Sequence, residues 1–282
     1  MNLYSINTGL FKLDGGAMFG VVPKTIWSKT NPADENNLCT LAMRCLLVEE
    51  GNRLILIDTG IGDKQSEKFF RYYYLHGEDT LEKSLKQHGF HRDDITDVFL
   101  THLHLDHVGG AVVRDGQDLV PAFKNAVYWT SKRHWDWAAN PNEREKASFL
   151  AENINPLQES GKLNFINESN PTSLTPDFGI RFTYGHTDSM MLPTLQYKDR
   201  TVVFVADLLP TTGHIPVPYV AGYDVFPLQS MAEKRAFLDE AQQNNYILFF
   251  EHDAVHECCT LQQTEKGIRL ADTFSLRGIA GR

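Results

Sequence analysis

The chain reads as an α/β protein built of layered sheets, on three observations. Short apolar runs recur along it between segments of helical pattern. Asp58, His102, His186, Asp207 and His252 each stand just after one of those runs. The run Val98-Phe99-Leu100 leads straight into Thr101-His102-Leu103-His104-Leu105-Asp106-His107-Val108-Gly109-Gly110, with three histidines and an aspartate inside six residues. Residues on the ends of several strands converge on one rim, where loops are free to build a site. A single His or Asp after a strand is an ordinary turn residue; five at equivalent positions, around a histidine cluster, are poorly explained that way.

Composition narrows the class of partner. With 282 residues the length allows one large domain or two small ones, and 42% apolar content supplies a sizeable core. A net charge of −9 and a pI near 5.6 argue against nucleic acid or an anionic membrane as partner. Cys39, Cys45, Cys258 and Cys259 show no C-x-x-C spacing, and Met1-Asn2-Leu3-Tyr4-Ser5 lacks the basic and apolar regions of a signal peptide. The expectation is a cytoplasmic protein with reduced cysteines. No apolar run is long enough to span a bilayer.

Along the chain, Asn2 to Asn7 reads as a strand. Three glycines then surround Met18 and Phe19, which either plug the core or line an apolar pocket from a flexible loop. Residues 28–37 are polar and exposed. Leu41 to Val48 and Arg53 to Ile57 form a hairpin around Glu50-Gly51-Asn52. The aromatics Phe69, Phe70, Tyr72, Tyr73 and Tyr74 read mostly as core. Thr80 caps a helix that runs to His88 and ends at Gly89, with Leu81 and Leu85 on its apolar face. Beyond the histidine cluster come a strand at 126–130, a helix from Ser131 to Trp137, and a charged helix from Asn142 to Glu159 interrupted near Pro156. Trp135 and Trp137 are either pocket walls or surface-to-core anchors. Strands follow at 180–184, 201–205 and 246–250, ending in Gly185-His186-Thr187, Ala206-Asp207 and Glu251-His252-Asp253. Leu261 to Thr273 fits strands or a helix, and Gly278 to Arg282 a frayed tail.

Imidazole and carboxylate are natural ligands of zinc and similar divalent ions. His102 and His104 lie two apart and point the same way from an extended turn, while Asp106 and His107 can turn toward a second position. One tight stretch can therefore feed two adjacent metals. His256 with Cys258-Cys259 fits no zinc spacing.

The H-x-H-x-D-H signature over His102–His107, with the later histidines and aspartates in order, resembles the metallo-β-lactamase-fold hydrolases from about residue 2 to 255. That resemblance implies an αββα sandwich of two mixed sheets flanked by helices, in a single domain over 1–282 with a helical insertion at about 131–160. It implies two zinc ions: His102, His104 and His186 on one, Asp106, His107 and His252 on the other, and Asp207 bridging them. A metal-bridging hydroxide would attack an electrophilic centre, with Asp106 orienting it and returning a proton to the leaving group. Asp58, in Asp58-Thr59-Gly60, would sit behind the metal histidines and fix a tautomer. The segment Asp14 to Lys24 looks like the overhanging loop of the lactonase and phosphotriesterase-like branch.

Two departures from the family pattern stand out. The usual Gly-His-Thr-x-Gly ends here in Ser189. Where many quorum-quenching lactonases carry a substrate-binding tyrosine, three residues after the bridging aspartate, this chain has Pro210, so Tyr223 or His214 in the loop 211–224 would have to supply a donor. The leading expectation is hydrolysis of a small apolar ester or lactone such as an N-acyl-homoserine lactone. A phosphotriesterase, or another esterase or thioesterase of this fold, shares the site logic, and a di-iron redox protein could use the same ligands. A small-molecule substrate is the expected partner, with homodimerisation left open.

Overall fold

A computed structural model describes residues 1–168 and 173–281. The chain forms two compact units. The first takes residues 1–9, 43–172 and 189–191; the second takes 10–42, 173–188 and the chain from 192 on. The strands Asn2–Asp14 and Leu38–Glu50 each run from one unit into the other.

The first unit is organised on a six-stranded sheet in the order Asn2–Asp14, Leu38–Glu50, Arg53–Ile57, Asp97–Phe99, Val127–Ser131, Leu163–Ile166. Leu38–Glu50 and Arg53–Ile57 form the expected antiparallel hairpin, closed at Glu50 opposite Arg53. The next three pairings are parallel, so the sheet is mixed. All three residues of Asp97–Phe99 are buried, as befits a central parallel strand covered on both faces. The helix Leu81–Gln87 is capped by the Thr80 hydroxyl, which accepts from the Lys83 N–H. Its Leu81 and Leu85 enter the same core cluster as Leu56, Val98, Leu100 and Trp135.

Three expectations in this unit need correction. The aromatic run at 69–74 is not core: Tyr72 is 70% exposed and Tyr74 52%, while Phe69, Phe70 and Tyr73 are half-buried. The helix Glu67–Phe70 holds only one turn, too short to present a continuous apolar face. Pro156 does not interrupt a helix; it is the sixth residue of Ala151–Glu159, where its ring nitrogen gives the Glu152 carbonyl no intrahelical donor, yet the helix continues through it. That helix begins nine residues later than expected, because residues 142–149 form turns around Glu145. In the 131–160 stretch Trp135 is a core side chain, and Trp137 packs against the same cluster.

The second unit holds a seven-stranded sheet in the order Gly267–Phe274, Cys258–Thr264, Ile247–Phe249, Arg200–Phe204, Met190–Tyr197, Phe178–Thr183, Ser173–Thr175. Arg200–Phe204 pairs in parallel with Ile247–Phe249. Such a pair needs a crossover, and the 17-residue helix Pro227–Gln243 supplies it, opening on proline at its first turn. The region 261–273 resolves as a hairpin, with Cys258 and Cys259 buried as free thiols. The expected frayed tail instead forms 3-10 turns over Leu276–Gly281; Arg282 lies outside the described residues. Two mixed sheets with helices thus agree with the α/β class read from sequence. Among the described residues no helix is long and apolar enough to cross a membrane.

Candidate metal centre

The seven candidate ligands divide between the units: His102, His104, Asp106 and His107 in the first, and His186, Asp207 and His252 in the second. Each follows a strand of its own unit's sheet, or the turn after one.

In the first unit, the Leu100 N–H donates to the Trp129 carbonyl at 2.9 Å and ends the Asp97–Phe99 strand. Thr101 then donates from both its N–H and its hydroxyl to the Asp58 carboxylate, at 2.8 and 2.6 Å. Asp58 holds φ at 57°, a left-handed conformation uncommon for a non-glycine residue and found where a site constrains the backbone. The same carboxylate lies 3.1 Å from His107 Nδ1. A carboxylate only accepts, so Nδ1 carries the ring proton and Nε2 keeps its lone pair. His102 follows similar logic. The Thr101 hydroxyl hydrogen is committed to Asp58, so its oxygen accepts from His102 Nδ1 at 3.1 Å, leaving Nε2 bare. His104 Nε2 lies 3.3 Å from Glu145 Oε1, which leaves Nδ1 bare.

Those assignments put two bare nitrogens face to face: His102 Nε2 and His104 Nδ1 are 3.1 Å apart, and both rings are buried. Lone pairs that close repel unless a positive charge lies between them. Two nitrogens on one tetrahedral zinc, each about 2.0–2.1 Å from it, are about 3.3 Å from one another. The donor set therefore fits a cation.

The motif's two glycines have a steric reason. A Cβ on Gly109 would lie 2.1 Å from the Ile61 carbonyl oxygen, and one on Gly110 2.2 Å from that of Thr59. Only glycine lets the histidine turn lie flat on the Asp58-Thr59-Gly60 loop, where the Thr59 N–H donates to the His107 carbonyl at 2.8 Å. Asp106, on the turn Leu105–Val108, is partly exposed, with Oδ1 3.9 Å from His107 Nε2.

In the second unit, the strand Phe178–Thr183 ends in a turn clamped by the helix Pro227–Gln243. The Glu233 carboxylate accepts from the N–H groups of Tyr184 and Gly185 at 3.0 Å, and a Cβ on Gly185 would lie 2.3 Å from Ser230 N. His186 Nδ1 donates to Asp224 Oδ1 at 2.9 Å, and its Nε2 faces Asp207 Oδ2 at 3.2 Å. His252 Nδ1 lies 2.9 Å from the Ala42 carbonyl, which only accepts, so its Nε2 meets Asp207 Oδ1, 3.1 Å away, as a lone pair. One carboxylate thus stands between two imidazole nitrogens, and positive charge must fill both gaps.

Ser189 takes over the missing glycine's conformation itself, with φ at 59°. Its hydroxyl lies 2.6 Å from Ser131 Oγ and donates to Glu168 at 2.7 Å, which offsets the cost of that conformation for a side chain with a Cβ.

The residues expected to line a pocket are differently placed. Met18 and Phe19 belong to a short helix, Gly15–Phe19, and both are buried. The Phe19 ring is stacked on Trp27 and on His214, with centroids 5.4 and 4.2 Å apart. His214 cannot serve as the substrate donor expected from sequence. Its Nδ1 accepts from the Thr211 hydroxyl at 2.9 Å and its Nε2–H donates to the Met18 carbonyl at 2.8 Å. Burial lowers its pKa to about 4, so it stays neutral and structural. Tyr223 is 40% exposed in the same loop, which Asp253 anchors by accepting from the Thr212 N–H and hydroxyl.

Sequence reasoning missed Glu145, Asp224 and Glu233. Asn142-x-x-Glu145 carries a legible signal, but it reads as a turn cap. Asp224 lies 38 residues from its histidine, with no local pattern pointing to it.

Comparison with known proteins agrees with this chemistry. Residues 44–252 match the Metallo-beta-lactamase superfamily, and the chain belongs to that superfamily. It is a metal-dependent hydrolase related to N-acyl homoserine lactonases. A solved structure from Staphylococcus aureus, described as a probable metal-dependent hydrolase, is 30% identical, with a TM-score of 0.87 over 97% of this chain and 98% of that one. AidC, a dizinc quorum-quenching lactonase solved with a product, is 25% identical, with a TM-score of 0.77 over 96% and 94%. The N-acyl homoserine lactonase AiiA of Bacillus thuringiensis subsp. kurstaki is 24% identical over 233 residues, 78% of this chain and 84% of its own.

Proposed function

We propose that the chain is a dinuclear zinc hydrolase that opens the ring of a lactone, with N-acyl-homoserine lactones as the substrate class. The observation that carries the metal reading is the set of locked imidazole tautomers: each ring has one nitrogen committed to a protein partner and the other left as a lone pair. In this reading His102, His104 and His186 hold one cation, Asp106, His107 and His252 the other, and Asp207 both. The similarity to AiiA and AidC supports the lactone.

Bound divalent cations would supply Lewis acidity toward the ester carbonyl and a water of lowered pKa. The chain's own residues do the rest. Asp58, Asp224 and the Ala42 carbonyl each accept from Nδ1 of one imidazole, of His107, His186 and His252, and so aim its Nε2. Asp106, partly open to solvent, holds the proton that passes to the ring oxygen as the acyl C–O bond breaks. With Pro210 unable to donate and His214 fully engaged, Tyr223 is the proposed hydrogen-bond donor to the substrate.

The test is a hydrolysis panel on zinc-reconstituted protein: homoserine lactones of several acyl lengths, an aryl ester, a thioester and a phosphotriester. The expected result is that lactones turn over fastest and that Asp106→Asn lowers kcat at least about 100-fold. A phosphotriester or thioester as the best substrate would sink the lactone assignment.

A further inference from the structure

The 131–160 stretch has no role so far beyond packing, yet it buries a carboxylate. Glu145 is 3% exposed. Its Oε2 accepts from Trp137 Nε1 at 2.7 Å and Asn142 Nδ2 at 2.6 Å, and its Oε1 lies 3.3 Å from His104 Nε2. The backbone beneath is pinned too. Asn142 Oδ1 accepts the N–H groups of Arg144 and Glu145, and the Glu145 carbonyl accepts those of Ser148 and Phe149. The Phe149 ring lies 4.8 Å from that of His104. Burying a carboxylate is costly unless donors meet it, and here the stretch brings its own. Packing does not require an acid at this place; an apolar side chain would fill the volume without needing Trp137 and Asn142 as donors.

We propose that Glu145 is a positioning residue: it fixes His104 as the Nε2–H tautomer, so that Nδ1 is held as a lone pair toward His102 Nε2, and the helical insertion thereby sets metal affinity. This rests on the reading of His104 as a metal ligand. The physical consequence is a preformed electronegative pair. Asp58 acts through Thr101 to fix His102, and Glu145 fixes His104 from the other side. Without Glu145, His104 is free to place its proton on Nδ1 and satisfy His102 Nε2 by a hydrogen bond. A cation would then have to displace that proton.

The decisive variant is Glu145→Gln, which keeps the shape and removes the carboxylate. Two readouts apply: zinc affinity by competition with a chromophoric chelator, and the His104 tautomer in the zinc-free protein by long-range 15N–1H correlation spectra. The expected result is a 10–100-fold loss of zinc affinity, with His104 passing from Nε2–H toward a mixture. Trp137→Phe, which removes one donor to Oε2 and keeps a ring, should give a smaller loss of the same sign, and it decides the matter if Glu145→Gln does not fold. Unchanged tautomer and unchanged affinity in a folded variant would overturn the proposal and leave Glu145 a structural acid. A wild-type protein that binds no zinc would instead overturn the metal reading, and the tautomer spectra would still judge Glu145.

Discussion

Every imidazole among the candidate ligands has one nitrogen tied to protein: Asp58 for His107, Thr101 for His102, Glu145 for His104, Asp224 for His186 and the Ala42 carbonyl for His252. Asp58 also accepts twice from Thr101, so Asp58→Asn, with one acceptor oxygen fewer, should cost about 2 kcal/mol of stability by urea denaturation and weaken zinc binding with it. His214 offers a separate test. Its ordinary pKa of 6.5 is lowered by burial to about 4, so below pH 6.5 the unfolded chain takes up a proton that the folded chain refuses. Stability therefore falls as pH drops from 6.5 toward 4, by up to about 3 kcal/mol. His214→Gln should flatten that part of the pH–stability curve. At this scale the candidate ligands stand out in the sequence because they crowd one motif or end a strand, and Asp58 because it follows its strand directly. Glu145 and Asp224 were not legible, since their roles depend on distances the chain closes only by folding.

Among the elements, the turns are held by close contact more than by propensity. Gly109→Ala would push a Cβ to 2.1 Å from a backbone oxygen, so it should destabilise by about 3 kcal/mol or more, read from the thermal midpoint. The helix Pro227–Gln243 was missed because its inner face mixes Ser230 and Lys234 with Phe237, Leu238 and Ala241. The spacing is helical, but the polar pair hides it. Lys234 is fully buried and donates to the carbonyls of His214 and Tyr219, each at 2.7 Å. Lys234→Met keeps the stem's packing and strands both carbonyls, an expected loss of about 1–3 kcal/mol in urea denaturation. The strands at 201–205 and 246–250 were legible by contrast, because buried strands carry nearly continuous apolar runs, and the one at 180–184 because Ile180 and Phe182 alternate with Arg181 and Thr183. The exposed aromatics at 69–74 misled for the converse reason: apolar composition alone does not say which way a one-turn helix faces.

For the whole molecule, each unit carries donors that meet with their lone pairs facing one another, His102 with His104 in the first and Asp207 between His186 and His252 in the second, and those arrangements are costly without cations. Chelation should therefore lower the thermal midpoint, and added zinc should restore it, since a ligand at about 1,000 times its Kd stabilises by about 4 kcal/mol. The superfamily match over 44–252 spans most of the chain and both units, so the hydrolase class does not hang on one motif. The most direct measurement is turnover of N-hexanoyl-homoserine lactone against bound zinc per chain, on metal-stripped protein reconstituted stepwise. The prediction is negligible turnover without zinc, rising until two ions are bound per chain. Full turnover at one ion, or in stripped protein, would contradict the dinuclear centre.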